Sequence, residues 1–196
     1  HIGLTPSSVS IMSDYLVRFA SKYPDIHFDI HEGSTFALKN ELENGLVDIT
    51  TLRTPIVLNE CNTSVLLQEN LVAMAIPGFF DIRYTNISLK ELSQKSLILS
   101  HRYRKYIISA FEDNGLTCDI YCECEDARTA ITLAEHGLGV AILPSSMREL
   151  NPCLYAYSIK DTNLSTEILL AWRDDRIPVE VEKFLSEVTC SHHLNP

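Results

Sequence analysis

Any chemistry in this chain rests on five short turns, each placed where an apolar run gives way to a helical pattern. They are Thr5-Pro6-Ser7-Ser8, Gly33-Ser34-Thr35, Arg53-Thr54, Ser100-His101-Arg102-Tyr103-Arg104 and Asp126-Ala127. Four of the five offer hydroxyl or basic donors. In an open parallel sheet, ligands sit beyond the carboxyl ends of the strands. Helices that begin there present free N–H groups and the positive end of the helix dipole. Such a set suits a small carboxylate or phosphate. The candidate ligand-binding residues are Thr5, Ser7, Ser8, Ser34, Thr35, Arg53, Ser100, His101 and Arg102. Each has a plainer role open to it. Ser8, Ser34 and Thr35 are ordinary helix caps. Arg53, at the end of an apolar strand, could form a surface ion pair. His101, Arg102, Arg104 and Lys105 could be a solvated basic turn, and Asp126 a cap with Arg128 as its solvated neighbour.

Catalysis finds little support. No HExxH, GxSxG, GxGxxG or P-loop pattern is present. The seven histidines are scattered, and His192-His193 fall in a terminal tail. Glu123 and Glu125 share strand parity and read as an exposed face. No catalytic residue, cofactor or metal is expected. Of the six cysteines, Cys118, Cys122 and Cys124 share parity with Ile120 and are expected on one strand face, opposite Asp119, Tyr121 and Glu123. Free cysteine commonly packs as a small buried hydrophobe.

The elements that must hold these turns follow a repeated grammar. Ile2-Gly3-Leu4 is a short strand, followed by a helix to about Lys22 with a core stripe of Val9, Met12, Leu16, Phe19 and Tyr23. A second stripe on that helix, Ile11 and Tyr15 followed by Arg18, exceeds what one sheet can cover and marks a partner surface. Ile26 to His31 alternates as a half-buried strand. A helix with Leu38 and Leu42 stops at Gly45, and the strand Val47 to Leu52 delivers Arg53. Strands are expected at Ser64–Gln68 and Leu71–Ile76, a short helix at Ser88–Ser93 and a strand at Ser96–Leu99. A helix with Tyr106, Ile107, Ala110 and Phe111 inward comes next, then the strand Cys118–Cys124. A helix with Ala127, Ala130, Ile131 and Ala134 then ends at Gly137 and feeds the buried run Val140–Leu143. Strands at Leu154–Ile159 and Thr166–Trp172 and a final helix after Pro178 complete the chain.

The pattern predicts an α/β fold of two Rossmann-like lobes joined by two crossing strands, with a ligand cleft between them. Lobe I takes 1–69 and 165–196, and lobe II takes 70–164. Two stretches carry a family resemblance. Asn40-Glu41-Leu42-Glu43-Asn44-Gly45-Leu46-Val47-Asp48-Ile49 resembles the LxxGxxD stretch of the ligand-binding domain of LysR-type transcriptional regulators, and Glu135 to Pro144 resembles its GLGxAxLP stretch. The resemblance implies a periplasmic-binding-protein-like fold and a small-molecule effector, a carboxylate or other anion. It places effector contacts at Ser7, Ser8, Ser34, Thr35, Arg53, Ser100, His101 and Arg102. The turn at Ser100 departs from the commoner Pro-Gly/Ser pattern. The resemblance further implies a two-fold homodimer, or a tetramer in the full-length protein. There Ile11, Tyr15 and Arg18 of the first helix would meet Ile108 of a second-lobe helix of the other subunit.

Charge bounds the partners. The 196 residues carry a net charge of −10 with a pI near 5.1. No basic patch of the kind that grips nucleic acid is evident, so DNA is expected only through an N-terminal domain absent from this sequence. No apolar run is long enough to span a membrane, and a cytoplasmic location is expected. The alternative is an extracytoplasmic solute-binding protein of a transporter, which shares the two-lobe fold and would oxidise its cysteines.

Overall fold

The computed structural model describes all residues except Glu60, Asp161, Asp175, Arg176 and 193–196, and of 190–192 the backbone only. In chain order the first elements are β1 (Ile2–Leu4), α1 (Val9–Lys22), β2 (Ile30–Glu32), α2 (Thr35–Glu43), β3 (Ile49–Arg53) and β4 (Cys61–Ala75). They continue with β5 (Asn86–Ile87), α3 (Leu89–Leu92), β6 (Ser96–Ser100), α4 (Arg104–Asp113), β7 (Asp119–Cys124), α5 (Ala127–Glu135) and β8 (Val140–Pro144). The last are β9 (Tyr155–Ile159), β10 (Ser165–Arg173) and α6 (Val179–His192). Short 3-10 turns occupy Pro6–Ser8, His101–Tyr103 and Ser145–Leu150. The chain forms two compact units: His1–Gln68 with Glu167–Pro196, and Glu69–Thr166. The α/β class agrees with the sequence pattern.

The first unit is built on a sheet ordered β2-β1-β3-β10. Strands β1, β2 and β3 run parallel, and β10 is antiparallel to β3. One face packs on α1 and α6 through Met12, Phe19, Phe184 and Val188, and Phe19 meets Phe184 edge to face at 5.1 Å. The other face packs Leu38 and Leu42 of α2 against Val47, Leu52 and Ala171. Burying each such leucine contributes about 1.5–3 kcal/mol. α2 stops at Gly45, whose φ of +71° suits glycine.

In the second unit the strand order is β5-β9-β4-β8-β6-β7. Its two sheet faces read directly from alternation along the strands. Leu97, Leu99, Val140 and Ile142 pack with α3 and α4 on one side. Ile98, Ala141 and Leu143 pack with α5 on the other. α3 carries a full capping box, with Ser88 Oγ accepting from Glu91 N at 3.2 Å and the Glu91 carboxylate accepting from Ser88 N at 2.8 Å.

Several expectations need correction. Val9 is exposed, because the first turn after Thr5 is 3-10 and shifts where the α1 stripe begins. Only Ile30 and His31 of the expected strand 26–31 pair with β1, and the observed strand runs on to Glu32; Ile26 and Phe28 reach the core from irregular chain, and Ile30 is exposed. The two strands expected at 64–68 and 71–76 form one continuous strand, β4. Tyr106 lies outside the α4 stripe, at the surface, where its hydroxyl donates to Asn163 O at 2.7 Å and accepts from Ser165 N at 3.1 Å. The shared cysteine face is also overturned. The β6–β7 register slips between Leu97 and Ile98, which pair with Ile120 and Cys122, so Tyr121 is skipped. One extra residue reverses the facing of all that follow. Cys118 and Ile120 therefore pack on the α3–α4 side, and Cys122 and Cys124 on the α5 side.

Candidate functional site

Because β1, β2 and β3 run parallel, their carboxyl ends lie along one edge of the first unit's sheet. Three of the five turns read from the sequence begin there: Thr5 after β1, Ser34 after β2 and Arg53 at the end of β3. Arg53 binds two of these turns together. Its Nε donates to Ser7 Oγ at 3.1 Å, and its backbone N–H donates to Thr35 Oγ1 at 3.2 Å. The residue is 4% exposed. Its guanidinium is a planar fork of donors, a shape suited to a carboxylate.

The hydroxyls divide into two kinds. Thr5, Ser8 and Thr35 are buried and serve the frame. Ser8 Oγ donates to Thr5 O at 2.8 Å and lies 2.5 Å from Thr51 Oγ1, while Thr5 N donates to Thr51 Oγ1 at 3.0 Å. Ser34 caps α2, its side chain accepting from Ala37 N at 3.3 Å. Ser7 and Ser34 are the more accessible members of the set. Thr50 and Thr51, both fully buried, were not singled out from sequence. Thr50 Oγ1 donates to Gly3 O at 3.1 Å. Their signal was available: two adjacent threonines inside a strand covered on both faces must each find a local acceptor or donor.

The second unit's turn is differently occupied. Ser100 is buried, His101 exposed and Arg102 half-buried. His101 Nδ1 lies 3.1 Å from Glu123 Oε2, and Arg104 Nε donates to Glu123 Oε1 at 2.9 Å. The hydrogen bond from Arg104, and then that from His101, holds the half-buried Glu123 carboxyl below its usual range. Asp126 caps α5 by accepting from Arg128 N at 2.7 Å, and the Arg128 side chain holds its carboxyl low.

Of the residues expected at a partner surface, Ile11 and Tyr15 are half-buried and pack on the first unit's core. Arg18 is exposed and stacks on the Tyr15 ring at 5.0 Å. Ile108 is half-buried on α4.

The five described cysteines form no disulfide with one another. Burial pushes the Cys124 thiol up to about 11 and raises that of Cys118. The thiolate is the reactive form, so Cys124 holds little of it near neutrality. Alkylation of the native protein at pH 8, read by peptide mass mapping, is expected to label exposed Cys153 at least about tenfold faster than Cys124. Equal rates would contradict this environment for Cys124.

Comparison with known proteins agrees with this frame. The profile of the LysR substrate binding domain matches residues 1–191. The chain is 28% identical over 180 residues to YnfL, an HTH-type transcriptional regulator of Escherichia coli (strain K12), covering 87% of this chain and 60% of that protein. It spans roughly two thirds or less of the first curated relatives it matches, at 60%, 66% and 64%. The effector-binding domain of QuiR in complex with shikimate has the same fold, with a TM-score of 0.87 at 19% identity, covering 99% of this chain and 96% of that one. The BenM effector-binding domain with its effector benzoate gives a TM-score of 0.82 at 17% identity, covering 98% and 91%. A match over nearly the whole sequence, on a fold shared with effector-binding domains of such regulators, makes this chain a member of the LysR substrate-binding domain family.

Proposed function

We propose that this chain is the effector-sensing domain of a LysR-type transcriptional regulator, and that its effector is a small carboxylate or similar anion. The observation that carries the proposal is Arg53, a buried cation at the carboxyl end of β3, aligned by Ser7 and Thr35 at the starts of two helical segments. Ser7, Ser34 and Arg53 supply the effector's polar contacts, and Thr5, Ser8 and Thr35 hold them in place. Ser100, His101 and Arg102 of the second unit are proposed as further contacts. The compounds named with the similar QuiR and BenM domains, shikimate and benzoate, support a carboxylate. The effector shifts the domain between states that it binds unequally, and a few kcal/mol of difference suffices. DNA is contacted by a helix-turn-helix domain of the full regulator, the protein acts in the cytoplasm, and the domain has no catalytic role.

Thermal denaturation across a panel of small carboxylates, shikimate and benzoate included, with uncharged and cationic compounds beside them, tests this reading. Ligand-linked stabilisation is expected from at least one anion and to grow with its concentration. A panel in which only uncharged or cationic compounds stabilise the protein would contradict it.

We further propose a homodimer through the flank of α1 bearing Ile11, Tyr15 and Arg18, with Ile108 on the facing helix. An isologous contact occurs twice per dimer, so each substitution acts twice. Tyr15→Glu combined with Arg18→Glu is expected to sediment as a folded monomer where the wild type sediments as a dimer. A dimeric variant, or a monomeric wild type at high concentration, would refute the interface.

A further inference from the structure

At the opposite, amino-terminal end of the first unit's parallel strands lies a cluster that the proposed function does not use. His1, Asp29 and His31 each offer one ligand atom, and these atoms lie within 4.8 Å of one another. The placement follows from register. Ile2 pairs with Ile30 and Gly3 with His31 across β1 and β2, so Asp29 enters beside His1 and His31 follows two residues later on the same face.

One of the separations is a hydrogen bond, His1 Nδ1 to Asp29 Oδ2, and the other has the spacing of two atoms around a shared cation. Asp29 Oδ2 lies 3.2 Å from His1 Nδ1 and 3.6 Å from His31 Nε2. The second distance is too long for a hydrogen bond. Two ligands at about 2.0–2.1 Å from a tetrahedral zinc ion stand about 3.3–3.4 Å apart, between these two values. A fourth residue completes the pattern. His31 Nδ1 lies 2.7 Å from Glu41 Oε2 of α2. A carboxylate on the far nitrogen fixes an imidazole's tautomer and aims its other lone pair, the usual support of a metal-bound histidine. Here that support directs Nε2 toward Asp29.

We propose that His1, Asp29 and His31 form a zinc site, with Glu41 as the positioning residue for His31. Three protein ligands of this type suit Zn²⁺ and leave one position for water. The site joins edge strand β2, only three residues long, to β1. Zinc there would fasten the two strands whose other ends carry Thr5 and Ser34.

The test is calorimetric titration of the metal-free, reduced chain, without any affinity-tag histidines, with ZnCl2. Wild type is expected to bind one ion with micromolar or tighter affinity and to unfold at a higher temperature when loaded. His31→Ala should lower the affinity more than about tenfold, and Glu41→Gln about tenfold to a hundredfold. Circular dichroism establishes that both variants fold. Co²⁺ in place of zinc should give weak visible bands without the strong near-ultraviolet absorption of thiolate ligation. No saturable binding, unchanged affinity in folded His31→Ala, or a thiolate signature would each overturn the proposal.

Discussion

Gly139→Ala is expected to destabilise the protein by more than about 3 kcal/mol, at the upper end of overpacking effects. A Cβ at Gly139 would stand 2.5 Å from the Ser96 carbonyl oxygen and 3.2 Å from the Ser96 carbonyl carbon. Both belong to backbone, so no rotamer change can relieve the contact. Ser96 opens β6, whose Leu97 pairs with Val140 of β8. Relief therefore means parting two central strands of the second unit, with Leu97, Val140 and Ile142 all at or below 1% exposure. Gly33→Ala is the control, since its nearest new contact is the flexible Leu38 side chain at 3.4 Å. Urea unfolding should show a large fall in midpoint for Gly139→Ala with little change in slope, and a small change for Gly33→Ala. Similar midpoints for the two variants would contradict the packing described between β6 and β8.

The second large effect belongs to Arg53. Arg53→Ala should weaken effector binding by roughly 30-fold to over 1,000-fold, since truncating one partner of a buried charged pair costs about 2–5 kcal/mol and each 1.4 kcal/mol is tenfold. Arg53→Lys should recover only part of this. A lysine keeps the charge but cannot offer a planar fork, and it loses the Nε donor that meets Ser7. Ser7→Ala, which removes that alignment, should weaken binding less than Arg53→Ala. Equal binding by wild type and Arg53→Ala would remove Arg53 from the site.

How far the sequence could be read depends on whether a feature is local. The α2–Gly45–β3 and α5–Gly137–β8 units were legible, because glycine at a helix end and a short apolar run are signals carried by neighbours in sequence. The same holds for Ser34 and Asp126 as caps. The hydrogen bonds that Arg53 makes to Ser7 and Thr35 join positions 46 and 18 residues away. Sequence placed those residues at strand ends, but only the parallel register brings them together. The face of Cys122 and Cys124 was misread because a register slip leaves no mark in residue types. Tyr106 looked like a core aromatic, and its hydroxyl found backbone partners at Asn163 and Ser165 that no periodicity announces. His1, Asp29 and His31 gave no metal-binding pattern, since the strand pairing that joins them lies outside any short motif.

The most direct measurement on the proposed function is a calorimetric titration of wild type and Arg53→Ala with the carboxylate that raises the unfolding temperature most. Saturable one-to-one binding to wild type and at least a 30-fold loss in the variant, about 2 kcal/mol or more, are expected. Affinities within about threefold of each other, in a variant shown to be folded, would contradict the proposed function.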